Sequence, residues 1–110
     1  MRERGDTADR RARALKALSH PARLAAVRAL SAGERCICEL WREMGCDLST
    51  ASRHLKALVD SGIVKSRREG RKVFLRLLAP CLIRFLDCLD SVLDGKPCRF
   101  DSRRDGGRRR

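Results

Sequence analysis

The amino-acid sequence predicts a small domain that is mostly α-helical and carries one β-hairpin. Three observations lead to this fold class. Five segments have a helix-forming composition or apolar residues at helical spacing, and Gly or Pro separates most of them. Two alternating runs, IVKSRRE and RKVFLRLL, meet at Gly70 and predict the hairpin. The length, 110 residues, suits one domain with one modest hydrophobic core.

The N-terminal part of the chain predicts two helices. Residues 1–6 are expected to be flexible, and the Ala- and Arg-rich residues 7–18 are expected to form the first helix. Pro21 suits the first turn of a second helix, which Gly33 terminates. The buried side of this second helix is predicted from apolar residues spaced by three, which are Leu24, Val27 and Leu30.

The next two segments predict a helix-turn-helix. A short helix over about residues 36–44 ends at Gly45, and Asp47 fits as the N-cap of a further helix that Gly62 stops. In a helix-turn-helix the second helix enters the major groove of DNA. Its core side is predicted to carry Leu55, Leu58 and Val59. Its polar side, which would face the DNA, carries Ser49, Thr50, Ser52, Arg53 and Lys56.

The hairpin that follows is expected to be a wing, so the predicted fold is a winged helix-turn-helix. Three cations at its tip would contact the flanking DNA backbone: Arg68, Arg71 and Lys72. Pro80 then opens a last predicted helix, which ends at Gly95.

The apolar stripe of the last helix is too broad for a lone surface helix. Its members are Leu82, Ile83, Phe85, Leu86, Leu89, Val92 and Leu93. We interpret the excess as the dimerisation face of a homodimer. The folded domain is predicted to span residues 7–95, and the basic residues 96–110 are expected to form a disordered tail.

The charge and the apolar segments limit the partners and the location. A formal net charge of +12 favours a polyanionic partner, with double-stranded DNA before an anionic membrane. The N-terminus has no apolar signal segment, and charged residues interrupt the longest apolar stretch, residues 73–93, so no membrane span is expected. The protein is therefore expected to be cytoplasmic. Because thiols are kept reduced in the cytoplasm, six cysteines favour metal binding or redox sensing over a disulfide framework.

The stretch ERCICELW places Cys36 and Cys38 one residue apart. If both residues lay in one α-helix, their side chains would point about 200° away from each other. Two such thiols would converge poorly on a single ion.

Three segments resemble the ArsR/SmtB family of winged-helix transcriptional repressors: ALSHPARLAAVRAL, ERCICEL and STASRHLKALVDSGIVKSRREGRKVFLRL. The resemblance covers about residues 10–94. In that family a dimer binds a palindromic operator, and a metal or metalloid ion releases it. The resemblance therefore implies an ion-responsive repressor, and its SRH motif places His54 at the DNA face. We interpret His20, where the family usually has an acidic or polar cap before proline, as structural.

The thiol-sensing members of that family have a Cys-Val-Cys-Asp-Leu-type box in the first helix of the helix-turn-helix. The matching residues here are Cys36, Ile37, Cys38, Glu39 and Leu40. The best-known arsenic sensors have a third cysteine where this chain has Trp41, and the cadmium and lead sensors use further cysteines from an N-terminal extension. The zinc-type site of the family needs histidines on the last helix, and residues 81–94 contain none.

Thiolates are soft ligands that As(III), Sb(III), Cd(II) and Pb(II) prefer. The box therefore predicts that Cys36 and Cys38 bind one such ion, with As(III) as the first choice. Bringing both sulfurs onto one ion would have to unwind or tilt the helix that supports the DNA-reading helix. We hypothesise that this strain is the switch that releases DNA.

The third sulfur of a trigonal As(III) site is left open by the sequence. Cys81 and Cys88 lie on one face of the last predicted helix, about 10.5 Å apart along it, so they could not share an ion unaided. Either could meet the box from its own subunit or from the partner, or both could be small core residues. Cys46, in the predicted turn, and Cys98, in the tail, are weaker candidates.

Two other functions are compatible with parts of the sequence. In the first, the repressor responds to oxidation or persulfide through a bridge such as Cys38–Cys88, similar to the sulfur-responsive members of the family. In the second, the chain is a thiol enzyme or a metal carrier. The only histidines are His20 and His54, and no catalytic triad or phosphate loop is visible, so neither an enzyme nor an organic cofactor is expected.

Overall fold

The computed structural model of the protein describes residues 2–97, and the side chains from residue 7 onward. The elements in chain order are α1 (Arg2–Leu18), α2 (Pro21–Ala29), β1 (Arg35–Cys36), α3 (Ile37–Met44), α4 (Leu48–Asp60), β2 (Val64–Glu69), β3 (Lys72–Leu77) and α5 (Cys81–Leu93). A single 3-10 turn, Leu30–Ala32, follows α2. The chain divides into two compact units, one up to Ala79 and one from Pro80.

The core of the first unit lies where three helices meet the sheet. Its largest fully buried side chains come from five different elements, and they are Val27, Leu40, Leu58, Val64 and Leu75. The predicted core residues of α2 and α4 are buried or half-buried, as their helical spacing indicated. Burial from five elements fixes the position of each element relative to the others.

The predicted helix-turn-helix is confirmed. Gly45 ends α3 in the left-handed conformation, with φ of 69°, which a residue without a Cβ adopts freely. Asp47 is the N-cap of α4, and its carboxylate accepts the backbone N–H of Thr50 at 3.3 Å. The end of α3 and the start of α4 therefore lie where Gly45 and Asp47 predict.

The predicted wing is confirmed, and it has one more strand than the sequence indicated. The sheet is antiparallel with the order β1-β3-β2, and Gly70 forms the tip of the β2-β3 hairpin with φ of 66°. The additional strand β1 pairs Cys36 with Phe74. With two residues, β1 is too short to show the alternation that identifies a strand. The predicted helix over residues 36–44 therefore begins one residue later, at Ile37.

The first helix begins at Arg2, within the segment that was expected to be flexible. Arg and Glu favour helices, and no proline interrupts residues 2–18. Gly5 disfavours a helix by about 1 kcal/mol, which is too little to end one. The first helix therefore begins five residues earlier than predicted, and the flexibility of residues 1–6 stays a prediction.

The described part of the second unit, residues 80–97, consists mainly of α5, which starts after Pro80 and ends before Gly95, as predicted. Phe85, Leu89 and Val92 lie on one side of α5 and are 50%, 42% and 54% exposed. Most of the predicted tail, residues 98–110, lies outside the described residues, and so does Cys98. No helix within residues 2–97 is long and apolar enough to cross a membrane.

Candidate DNA-reading helix and thiol pair

The exposed side of α4 carries most of the residues that were predicted to face DNA. Ser49, Ser52, Arg53 and Lys56 are exposed, and Thr50 is half-buried. Lys56 is paired with Asp60, with Nζ and Oδ2 3.1 Å apart. Arg53 makes no ion pair with any residue that the structure describes. Its guanidinium is therefore the cation of α4 that is available to an external anion.

The hydroxyls of Ser49 and Thr50 take part in the cap of α4. Ser49 Oγ and Thr50 Oγ1 each donate to the Asp47 carboxylate over 2.6 Å. These hydrogen bonds hold the pKa of Asp47 well below its usual range. Ser49 and Thr50 are thus already bonded to Asp47, whereas Ser52 is exposed and directly precedes Arg53 in the sequence.

The placement of His54 at the DNA face was wrong. Its side chain is only 9% exposed, and its ring centroid is 4.1 Å from that of His20. Arg23 Nε donates to His54 Nδ1 over 3.0 Å. Burial lowers the pKa of His54, and the nearby charges of His20, Arg23 and Arg53 lower it further. His54 therefore joins α4 to α2 inside the protein.

His20 has the structural role that was expected of it. It is the N-cap of α2, and its Nδ1 accepts the backbone N–H of Ala22 over 3.2 Å. The imidazole thus takes the place of the acidic or polar cap, because its unprotonated nitrogen accepts the same hydrogen bond.

The tip of the wing presents three exposed cations, Arg68, Arg71 and Lys72. Within the described part of the chain none of the three forms an ion pair. Arg67 differs, because its guanidinium is bonded to two carboxylates, those of Glu34 and Glu69. The three tip cations are therefore free to approach phosphate, whereas the charge of Arg67 is compensated within the protein.

The sulfurs of Cys36 and Cys38 lie 3.1 Å apart. Cys36 has an extended backbone, with φ of −74° and ψ of 147°, and is the N-cap of α3. The chain therefore changes from strand to helix between the two cysteines. The expectation that both lie in one helix and diverge by about 200° was wrong, and no helical turn has to unwind to bring the sulfurs together.

The two thiols differ in acidity and access. A hydrogen bond from Cys38 lowers the pKa of Cys36, and the positive charge of Lys72 lowers it further. The same interaction with Cys36 raises the pKa of Cys38. Cys36 is buried and Cys38 is exposed. The pair thus combines a thiol with a lowered pKa and a second thiol that an ion can reach from solvent.

Among the residues that the structure describes, no third ligand is grouped with the Cys36 and Cys38 sulfurs. Among the described residues, no three or more His, Cys, Asp or Glu side chains are grouped to hold a metal ion. Cys81 has a free, exposed thiol in the second unit, whereas Cys88 is in a disulfide. Cys46 lies in the turn before α4, and its carbonyl accepts the indole N–H of Trp41 over 2.7 Å. Trp41, at the position of the missing cysteine, thus has a structural contact with the turn.

Three residues that matter for the site were not predicted, namely Arg23, Glu34 and Arg67. Arg23 contacts His54 across two helices, and Glu34 contacts Arg67 across the sheet. Each pair is separated by more than thirty positions in the sequence. Local spacing does not indicate such contacts, because they depend on the register of elements that pair only in the fold.

Comparison with known proteins gives consistent matches. The family described as "Bacterial regulatory protein, arsR family" matches residues 20–66. An arsenical resistance operon repressor of Staphylococcus xylosus is 39% identical over 80 residues, which is 73% of each chain. A biofilm growth-associated repressor of Xylella fastidiosa is 43% identical over 78 residues, covering 71% of this chain and 68% of that one.

The fold has a similar match among solved structures. A homodimeric winged helix-turn-helix DNA-binding domain from Mycobacterium bovis, a possible ArsR-family transcriptional regulator, has a TM-score of 0.71 and 33% identity. The match covers 83% of this chain and 84% of that chain. The winged helix-turn-helix built by α3, α4 and the wing is therefore shared with a protein of known DNA-binding architecture.

Proposed function

Because the chain belongs to the arsR family of bacterial regulatory proteins, which are transcription regulators and not enzymes, we propose how its repressor activity is controlled. The protein is a homodimer that binds a double-stranded DNA operator in the cytoplasm. It leaves the operator when a thiophilic ion, with As(III) as the first choice, binds to Cys36 and Cys38. Sb(III), Cd(II) and Pb(II) are further ions of the same chemical preference.

The observation that carries this proposal is the 3.1 Å distance between the two sulfurs. An ion that forms two bonds to sulfur needs both donors on the same side of the chain, and the strand-to-helix change supplies that arrangement. In neutral water As(III) is a trihydroxide, and each thiol that binds it loses a proton and displaces one water molecule. The lowered pKa of Cys36 favours this exchange, because the thiolate is the nucleophile and the ligand.

The DNA contacts in this proposal follow from exposure and charge. Arg53 of α4 is exposed without an ion pair to any described residue, so its guanidinium can pair with base edges or with phosphate. The wing cations Arg71 and Lys72 would contact the flanking backbone. The net charge of +12 supports the same polyanionic partner.

The dimer in this proposal uses the exposed apolar side of α5. Phe85, Leu89 and Val92 are spaced by four and three, so they form one stripe, which water would otherwise cover. Similarity to the arsenical operon repressor of Staphylococcus xylosus supports As(III) as the inducing ion. Similarity to the homodimeric Mycobacterium bovis domain supports the proposed homodimer. A third sulfur would then come from Cys81 of either subunit or from a ligand in solution.

The test is arsenite-triggered release from the operator, measured for the wild type and for Cys36→Ser and Cys38→Ser. Serine keeps the approximate size but removes the soft ligand, so apo DNA binding should persist while release disappears. Cys46→Ser is the matched control in the same unit, and it should respond almost like the wild type. Normal release by both box variants would refute the sensor.

Thiol oxidation is the second candidate for the inducing event, and one observation favours it. The Cys36 and Cys38 sulfurs are already close. The predicted Cys38–Cys88 bridge is wrong, because Cys38 is a free thiol and Cys88 is in a disulfide with another cysteine. A disulfide forms when two thiols lose two protons and transfer two electrons to an oxidant such as a persulfide or peroxide. Titrating the reduced protein with persulfide, in parallel with arsenite, separates the two. Release by persulfide alone would favour oxidation.

A further inference from the structure

The strand that carries Cys36 is part of the wing sheet. β1 pairs with β3 at Cys36 and Phe74, and β3 pairs with β2 at Phe74 and Arg67. The three residues therefore form one row across the sheet, and directly paired residues point to the same face. The thiol pair and the hairpin with the three tip cations thus belong to one hydrogen-bonded unit.

An ion pair between Glu34 and Arg67 connects the two edges of the sheet across this row. Arg67 Nη2 and Nε donate to the Oε1 and Oε2 atoms of Glu34 over 2.7 and 3.0 Å, and Glu34 directly precedes β1. The guanidinium also lies over the ring of Phe74, 4.8 Å from its centroid. Single exposed ion pairs contribute little to stability, but two parallel hydrogen bonds and a ring contact fix the orientation of this one.

We propose that Glu34 and Arg67 are positioning residues that couple ligand binding at Cys36 and Cys38 to the contact between the wing and DNA. This inference rests on the proposed function. The Cys36 sulfur accepts the backbone N–H of Glu39 in the cap of α3. A ligand bonded to that sulfur withdraws electron density from it and weakens this hydrogen bond, and in this proposal Cys36 and β1 shift together in response. The Glu34–Arg67 ion pair transmits the movement to β2, where Arg68 follows Arg67.

A route from the thiols to α4 is less direct. Ile37, between the cysteines, lines a cavity of about 310 Å³ together with Leu55 and Val59 of α4. α3 also contributes Leu40 to the core that holds Leu58 of α4, so this route runs through side-chain packing. The route to the wing consists of strand pairing and hydrogen bonds.

The chain offers a matched pair of variants. Glu34→Gln and Glu69→Gln remove equal charge from the same guanidinium, because Glu69 also accepts from Arg67, over 3.0 Å. Only Glu34 connects Arg67 to β1, whereas Glu69 lies in β2 with it. Both substitutions add the same net charge, so their general electrostatic effect on DNA binding should be alike.

The measured quantity is the ratio of operator dissociation constants with and without arsenite. Such coupling factors are on the order of 5–150 for linked sites. We expect Glu34→Gln to lower the ratio severalfold, with arsenite affinity in the absence of DNA unchanged, and Glu69→Gln to keep it. A wild-type ratio in Glu34→Gln would overturn the proposal.

A second measurement distinguishes failure of the coupling from failure of the sensor. Amide hydrogen exchange of residues 64–77, without DNA or arsenite, should be faster in Glu34→Gln than in Glu69→Gln, because only the former frees β1 from β2. Equal exchange in the two variants would overturn the positioning role. A wild type that neither binds arsenite nor releases DNA would count against the proposed function, while the exchange comparison would still show whether Glu34 and Arg67 hold β1 to β2.

Discussion

The guanidinium of Arg23 donates a hydrogen bond to Nδ1 of His54 over 3.0 Å, and this contact fastens α4 to α2. Nδ1 accepts a hydrogen bond only while it carries no proton, so the contact requires a neutral imidazole. Burial lowers the pKa of His54, and the charges of His20, Arg23 and Arg53 act in the same direction. The helix proposed to read DNA is thus held by a group that titrates below its ordinary value of 6.5.

We expect the free energy of unfolding to decrease as the pH falls below about 6.5. In the unfolded chain His54 has its ordinary pKa, whereas in the folded protein the pKa is lower. Between the two values the unfolded state binds more protons, so lowering the pH favours unfolding. The contribution of neutral His54 is complete above the unfolded pKa and is lost as the pH falls through the folded pKa. Urea unfolding at a series of pH values measures this pH dependence of the free energy of unfolding.

His54→Gln is the control for this pH dependence. Glutamine can still accept from Arg23 but does not titrate, so the variant should lack this decrease. Asp47 does not account for this decrease. Because the pKa of Asp47 is lowered in the folded protein, its contribution to the free energy of unfolding is lost only as the pH falls below the ordinary value of 3.8. A wild-type decrease that persists in His54→Gln would show that another group is responsible.

Arg53→Ala should reduce specific operator binding. The exposed guanidinium has no ion pair with another described residue, and a bidentate contact with a base contributes about 1–3 kcal/mol of discrimination. Lys56→Ala is the comparison on the same helix. Because Lys56 is already paired with Asp60, we expect its substitution to reduce the specificity of DNA binding less than Arg53→Ala does. Titrations of each variant with operator and with unrelated DNA give the ratio of the two dissociation constants, which measures specificity. Unchanged specificity in Arg53→Ala would mean that α4 is not the reading helix.

The elements predicted well from the sequence are those with strong local signals. Asp47, Gly45 and Gly70 mark a helix start, a helix end and a hairpin tip, and each signal is contained in a few neighbouring residues. The strand β1 was missed because its existence depends on pairing with Phe74, far along the chain. That omission placed Cys36 in a helix and led to the wrong geometry for the thiol pair.

The position of His54 could have been predicted from the helical repeat alone. It follows Ala51 by three residues and precedes Leu58 by four, and both of these are fully buried. The family motif was instead used to place it at the DNA face. A polar residue in the middle of a buried stripe indicates an internal hydrogen bond, and here Arg23 supplies it.

Removing both Arg71 and Lys72 by substitution with Gln should weaken binding to all DNA sequences alike. Both are exposed at the wing and would contact phosphate, which carries no sequence information. The slope of log affinity against log salt should flatten by about one unit for each phosphate that is no longer neutralised. Arg67→Gln is the comparison. Because two carboxylates already compensate the charge of Arg67, we expect this substitution to change the salt slope less than the double variant does. A sequence-selective loss in the double variant would contradict a phosphate role.

Leu89→Asp should convert the dimer to a monomer. Leu89 is 42% exposed in the isolated chain, so a monomer can accept aspartate there, whereas a dimer through α5 would bury the carboxylate without a partner. An unpaired buried charge costs several kcal/mol, which is about a hundredfold or more in the dimer dissociation constant. Leu86→Asp is less informative, because Leu86 is only 8% exposed within the chain and the substitution would also disturb the fold.

Leu48→Asp provides the matched control for the dimer, because Leu48 is similarly exposed, at 48%, but lies at the start of α4. Sedimentation at micromolar concentration, with circular dichroism to verify folding, should show a folded monomer for Leu89→Asp and a dimer for Leu48→Asp. Operator affinity should fall with the dimer, since each subunit contributes one reading helix to a two-fold site. A Leu89→Asp protein that remains dimeric would place the subunit interface elsewhere than on the exposed stripe of α5.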